Sequence, residues 1–163
     1  MIVVSDSSAL IALGAAGHFS LLRELYGRVL IPAAVHREVV LDPDARFGAT
    51  EVARADWIEV REVRDLGLVT SFVQGGIGRG ESEAIVLAIE ERAEILLIDD
   101  LRGRQEAARH GLTITGVLGI FLLAKRRGLV NAIKPLIDGL TQSIGFRVAA
   151  SLYEDVLRSA DEL

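Results

Sequence analysis

Carboxylates recur in this sequence where the local pattern sets them at strand ends or in neighbouring helical turns. Asp6 closes the apolar run at residues 2–5, and Asp99 closes a second run at 94–98 with Asp100 beside it. Glu38 lies about two turns into the segment that begins after Pro32. Glu81 and Glu83 lie in the first turn of ESEAIVLAIEERA. Hard divalent cations take oxygen ligands, and Mg²⁺ is typically held by a few carboxylates with water completing the shell. Carboxylates crowded together without a cation raise one another's pKa and cost stability. A true cluster of these groups therefore implies a metal. The chemistry such a design serves is phosphodiester hydrolysis, in which a cation activates water and offsets charge on the phosphate.

Each acid also has a plainer reading. Asp6 ahead of Ser7-Ser8 can cap a helix. Glu81 and Glu83 at a helix start gain from the macrodipole. Glu38 suits a solvated helix position, and Asp99-Asp100 after a strand suits a turn. Four such placements in separate segments carry more weight together than any one alone.

The elements that would position these groups follow from apolar runs and punctuation. Residues 2–5, 28–31, 94–98 and 112–116 read as short strands rich in β-branched and aliphatic residues, and 57–63 alternates as an edge strand. Helices are expected after each, capped by Ser7-Ser8, opened by Pro32, and closed by glycines at 14 or 17 and at 27. Residues 75–80, GGIGRG, break regular structure and lack the Gly-Lys-Ser/Thr ending of a phosphate cradle, so they read as a flexible approach to the helix at 81–93. The tail reads as two helices, at 130–143 and 146–160, with Pro135 blurring the first. Strands alternating with helices throughout predict an α/β domain with a parallel sheet covered on both faces. In such sheets the functional crevice lies at the carboxyl ends of the strands, where Asp6 and Asp99 stand.

With 163 residues and no convincing linker, the chain is expected to form a single domain over 1–163. There are no cysteines, which excludes disulfides, thiol catalysis and thiolate metal sites. The three histidines, His18, His36 and His110, lack zinc spacing. No stretch approaches the roughly 18 apolar residues of a membrane span, and the first residues lack the basic start of a signal peptide, so no membrane association and a cytoplasmic location are expected. A net charge of −5 counts against a passive nucleic-acid binder, but not against an enzyme whose acidic site holds cations. A mean hydropathy of +0.37 points to extra buried surface, such as a homodimer interface or a partner groove.

The succession SDSSALIAL, IPAAVHREV, GRGESEAIVLAIE, ILLIDDLRGR and GLTITGVLGIFLLAKRRGL resembles a PIN domain over nearly the whole chain, and within it the short prokaryotic PIN-like branch of unknown function. The resemblance implies a three-layer α/β/α sandwich with a central parallel sheet of order 3-2-1-4-5. It also implies a Mg²⁺- or Mn²⁺-dependent endoribonuclease, often the toxin of a toxin–antitoxin pair of the VapC type. The family's first aspartate falls on Asp6 and its helix glutamate on Glu38. Its third acid, usually aspartate, falls on Glu83, with Glu81 as the neighbouring alternative. The fourth falls on Asp99 or Asp100; strand alternation turns the two in different directions, and Asp99 is preferred. The family's small hydroxyl residue falls on Ser7 or Ser8, as a supporting contact to a ligand or to phosphate. Arg102 or Arg104, close after Asp99, would reach RNA phosphates.

Several rivals follow. A glutamate at position 83 leaves open a catalytically silent PIN-like module that binds or regulates. A haloacid-dehalogenase-type phosphatase wants a second aspartate two residues after the first, where this chain has Ser8. A phosphorelay receiver wants a strand-end lysine, which the tail does not supply. The expected partners are an RNA substrate, a small antitoxin covering the acidic groove, and a second copy of the chain.

Overall fold

The computed structural model describes all residues, 1–163. Five parallel strands form its sheet: β1 (Val3–Ser5), β2 (Val29–Pro32), β3 (Ile58–Arg61), β4 (Ile95–Leu97) and β5 (Ile114–Thr115), in the order β3-β2-β1-β4-β5. Side-chain alternation along the strands divides the interior into two cores. Val3, Val29, Ile31 and Leu97 enter the core on one face, and Val4, Leu30, Leu96 and Ile98 enter the core on the other. Both faces are covered, which is why these strands read as continuous apolar runs.

On the first face lie α1 (Ser7–Ala15), α2 (Leu21–Tyr26), α8 (Val117–Arg126), α9 (Lys134–Ile144) and α10 (Ala150–Ser159). On the second lie α5 (Leu66–Gln74), α6 (Arg79–Glu91) and α7 (Leu101–Arg109). Between β2 and β3 run α3 (Ala33–His36), which continues as a π-helical turn over Arg37–Leu41, and the short α4 (Ala49–Arg54). The chain winds outward from β1 to β3, returns to pair β4 with β1, and then winds the other way. The reversal point lies between β1 and β4, where open α/β sheets place their crevice.

Three local readings are corrected and one is refined. Arg79 and Gly80 are not a flexible approach but the first turn of α6. Pro32 is the last residue of β2 and the N-cap of α3, one position ahead of the first helical turn. Pro135 does not blur its helix: it stands in the first turn of α9, where a missing N–H costs nothing. The last helix starts at Ala150, since residues 145–149 form the turn that reverses the chain after α9.

Candidate active site

Asp6 follows β1 directly, and its backbone N–H donates to Leu97 O at 3.0 Å, fixing it beside the end of β4. Its side chain caps α1, so the capping and the chemical readings describe one residue. Ser8 donates to it twice over, from its N–H at 3.0 Å and from its hydroxyl at 2.7 and 2.8 Å to the two carboxylate oxygens. The residue is only 1% exposed. Burial is the largest of the effects that push its pKa up to about 7; the charges of Asp99 and Glu81 add to it, and the bonds from Ser8 and Ala9 oppose it.

Asp99 stands beyond the end of β4 and accepts from the Val117 N–H at 3.1 and 3.2 Å, which seats it at the start of α8. Burial raises its pKa, against the pull of that N–H and of the Arg104 guanidinium. Asp100 is exposed and caps α7, accepting from Gly103 N–H at 2.9 Å. The two neighbours thus serve different helices.

Glu38 sits in the π-helical turn, a distortion common at functional sites. The Ser7 hydroxyl donates to it, so the two serines after Asp6 each orient a different carboxylate. Gly80 makes room for this acid: a Cβ there would lie 2.5 Å from both Glu38 oxygens. Gly116 does the same for Asp99 and Arg104, both of which lie against it.

Glu81 and Glu83 separate. Glu81 is half-buried; burial raises its pKa most, and the charges of Glu38 and Asp100 raise it further. Together with its effect on Asp6, this ties Glu81 to the acids of three other segments. Glu83 is not brought together with them. It is 3% exposed and fully engaged elsewhere, accepting from Arg79 Nε at 2.8 Å and from Ala34 N–H at 3.1 Å, with Arg37 at 3.8 Å. Of the two, Glu81 is therefore the one whose charge reaches Asp6, Glu38 and Asp100, and Glu83 is a clamp between α6 and α3. The pairing of Glu83 with an arginine four residues earlier was the available sign.

The two arginines separate as well. Arg104 lies beside Asp99, while Arg102 lies over Gly76 and lines a recess with Ser71, Gln105 and Arg109 away from the acids.

Compared with protein families, residues 2–162 match the PIN domain. This chain belongs to the PIN domain family. Its sheet order is the one the resemblance implied. PIN domains are generally nucleases that use divalent metals. No curated protein matches the chain.

No three acidic or histidine side chains of this PIN domain converge closely enough to coordinate one ion as they stand. The donor set nevertheless fits a hard cation. Its members are carboxylates, three of them, Glu38, Glu81 and Asp99, lie against glycines where a Cβ would clash, and Asp6 is a buried acid whose ionisation its negative neighbours oppose. A divalent ion would remove that opposition. No helix is long and apolar enough to cross a membrane.

Proposed function

We propose that this PIN domain is a metal-dependent endoribonuclease that hydrolyses RNA phosphodiester bonds, with Asp6, Glu38, Glu81 and Asp99 holding Mg²⁺ or Mn²⁺. The observation that carries the proposal is Asp6 itself: a buried carboxylate at the reversal point of the sheet, raised to about 7 by burial and by acids from other segments. Buried acids with raised pKa values, set beside other acids in a crevice, concentrate at functional sites.

When bound, the cation supplies Lewis acidity, offsetting charge on the phosphoryl oxygens and easing the ionisation of water. The chain's own groups fix the geometry. Ser8 locks the Asp6 carboxylate through both oxygens. Ser7 holds Glu38, and the Val117 N–H holds Asp99. Arg104 adds positive charge at the edge of the acid set, where a phosphate would otherwise be repelled. Attack by water on phosphorus needs no covalent protein intermediate.

The resemblance to VapC-type proteins supports a role as the toxin of a toxin–antitoxin pair, acting in the cytoplasm, with a small antitoxin closing over the acids. The high mean hydropathy supports a homodimer. The second reading, a silent PIN-like module, draws on the absence of a ready three-ligand group.

Incubation of labelled RNA with the full chain in Mn²⁺, in Mg²⁺ and in EDTA tests the proposal. Cleavage is expected with either metal, none in EDTA, and none for Asp6→Asn. A cation bound by the folded state alone must also raise the melting temperature. Neither cleavage nor a thermal shift at millimolar Mn²⁺ would leave the silent module as the better account.

A further inference from the structure

Two recesses each include one acid of the set in their walls. The first, about 420 Å³, runs from Glu38 along the loop at 42–47 to Ser143 and Ile144 at the end of α9. The second, about 480 Å³, runs from Asp99 and Arg104 along α8 to Phe146 and Arg147. The last residues of α9 therefore end the first recess, and the turn that follows them walls the second.

Each recess carries the same two side chains, adjacent in sequence: Arg46-Phe47 in the first and Phe146-Arg147 in the second. Both arginines are exposed, and both rings are half-exposed at the recess walls. Neither arginine takes part in any salt bridge of the molecule. Arg46 instead lies 5.9 Å from the centre of the Phe47 ring. Asp42 and Asp44 share the first recess and would repel a phosphate, which leaves Arg46 as its one cation. In a chain with 23 acidic and 18 basic residues, two unpaired arginines at the approaches to an acidic site do nothing evident for the fold.

An arginine suits a phosphate, and a phenyl ring suits the face of a base. A duplex keeps its bases stacked inside, so rings of this kind engage unpaired nucleotides. We infer that Arg46-Phe47 and Phe146-Arg147 are the substrate-positioning pairs of this protein. They receive the nucleotides on either side of the scissile phosphate of single-stranded RNA, with the acid set between them. This inference rests on the ribonuclease reading above. It adds which residues hold the strand, and its path from the loop at 42–47 across the acids to the turn after α9.

The test is fluorescence anisotropy in EDTA, using the full chain and a labelled single-stranded RNA of mixed sequence, about 12 nucleotides long to span both recesses. A matching duplex and a salt titration complete the set. Cleavage of the same RNA in Mn²⁺ is followed in parallel. Arg46→Ala and Arg147→Ala are each expected to weaken binding roughly fivefold or more and to lower the salt slope by about one. Phe146→Leu is expected to weaken binding while leaving the slope unchanged. Arg126→Ala makes the same charge change at the far end of α8 and is expected to bind as the parent does. Parent-like affinity and slope in both recess-arginine variants would overturn the path, and cleavage by the parent in that case would leave the ribonuclease reading intact. Equal affinity for the duplex, or no binding by the parent, would also overturn it. Binding through these residues without cleavage would keep the path and remove the ribonuclease reading.

Discussion

Gly80 lies flush against Glu38: a Cβ on the first would stand 2.5 Å from both carboxylate oxygens of the second. The contact joins α6 to the π-helical turn, and the absent side chain defines the position of the acid. Gly80→Ala should therefore push the Glu38 carboxylate aside. Alanine is the better helix former by about 1 kcal/mol, and the atoms it meets are the end of a flexible side chain. The expected result is a loss of at least about tenfold in metal-dependent cleavage, the range over which outer contacts tune metal sites, with a melting temperature equal to or above the parent's. A kcat/KM measurement beside a thermal melt checks both halves.

The separation of Glu81 from Glu83 yields a double contrast. Glu83→Ala strands the buried Ala34 N–H, for a cost of about 1–3 kcal/mol, and releases the exposed Arg79 guanidinium to solvent. Glu83→Gln keeps an acceptor for Ala34 and should cost less. Glu81→Gln removes a carboxylate that its neighbours oppose, so stability should hold or rise while cleavage is lost. Urea denaturation and a cleavage assay on the three variants separate clamp from site. Loss of stability with full activity in Glu81→Gln, together with lost cleavage in Glu83→Gln at matched folded fraction, would reverse the two roles.

Much of this arrangement is legible in the sequence, and the parts that are not share a cause. Strands buried on both faces write themselves as unbroken apolar runs, and Asp6 and Asp99 inherit their places from strand ends. Glu38 follows from the helix after β2, although nothing local announces the π-helical turn that carries it. Glu81 and Glu83 are about 200° apart on a helix, and a surface helix would have told them apart. Because α6 is buried from Ser82 to Ala88, it has no polar face to set its phase. The recess arginines are harder still. Arg46 and Arg147 share recesses with Glu38 and Asp99 only because a loop after β2 and a turn after α9 fold against them, a coincidence of distant segments that no local pattern encodes.

Asp6 should make the metal-free protein pH-sensitive in a definite direction. Its folded pKa of about 7 lies above the ordinary 3.8, so between those values the folded state binds the extra proton. Its stability contribution is therefore fully present at low pH and is lost as pH rises through about 7. Asp6→Asn lacks this titration. In EDTA the variant should melt above the parent at pH 8, with the gap closing towards pH 5. Addition of Mn²⁺ at pH 8 should raise the parent and leave the variant unmoved. A gap that widens on acidification would contradict the burial-driven shift.

Glu162 provides the opposite case, far from the acids. Its carboxylate accepts from the N–H groups of Ile133, at 2.8 and 3.1 Å, and of Lys134, at 3.0 Å, and pairs with Lys125 at 2.9 Å. It thereby ties the end of the chain after α10 to the start of α9 and to α8. Partial burial alone would raise its pKa, but these donors outweigh that and hold it below the usual 4.5. With the folded value depressed, the stabilisation is present above 4.5 and is lost as pH falls through the folded pKa. Glu162→Ala should thus melt well below the parent at pH 7, and the two curves should approach each other near pH 3. The tie also holds the helical pair whose connecting turn carries Phe146 and Arg147. Loosening it should therefore weaken single-stranded RNA binding at neutral pH even where the protein is fully folded. Anisotropy at a temperature well below both melts measures that effect; unchanged affinity there would mean that the turn keeps its place without the tie.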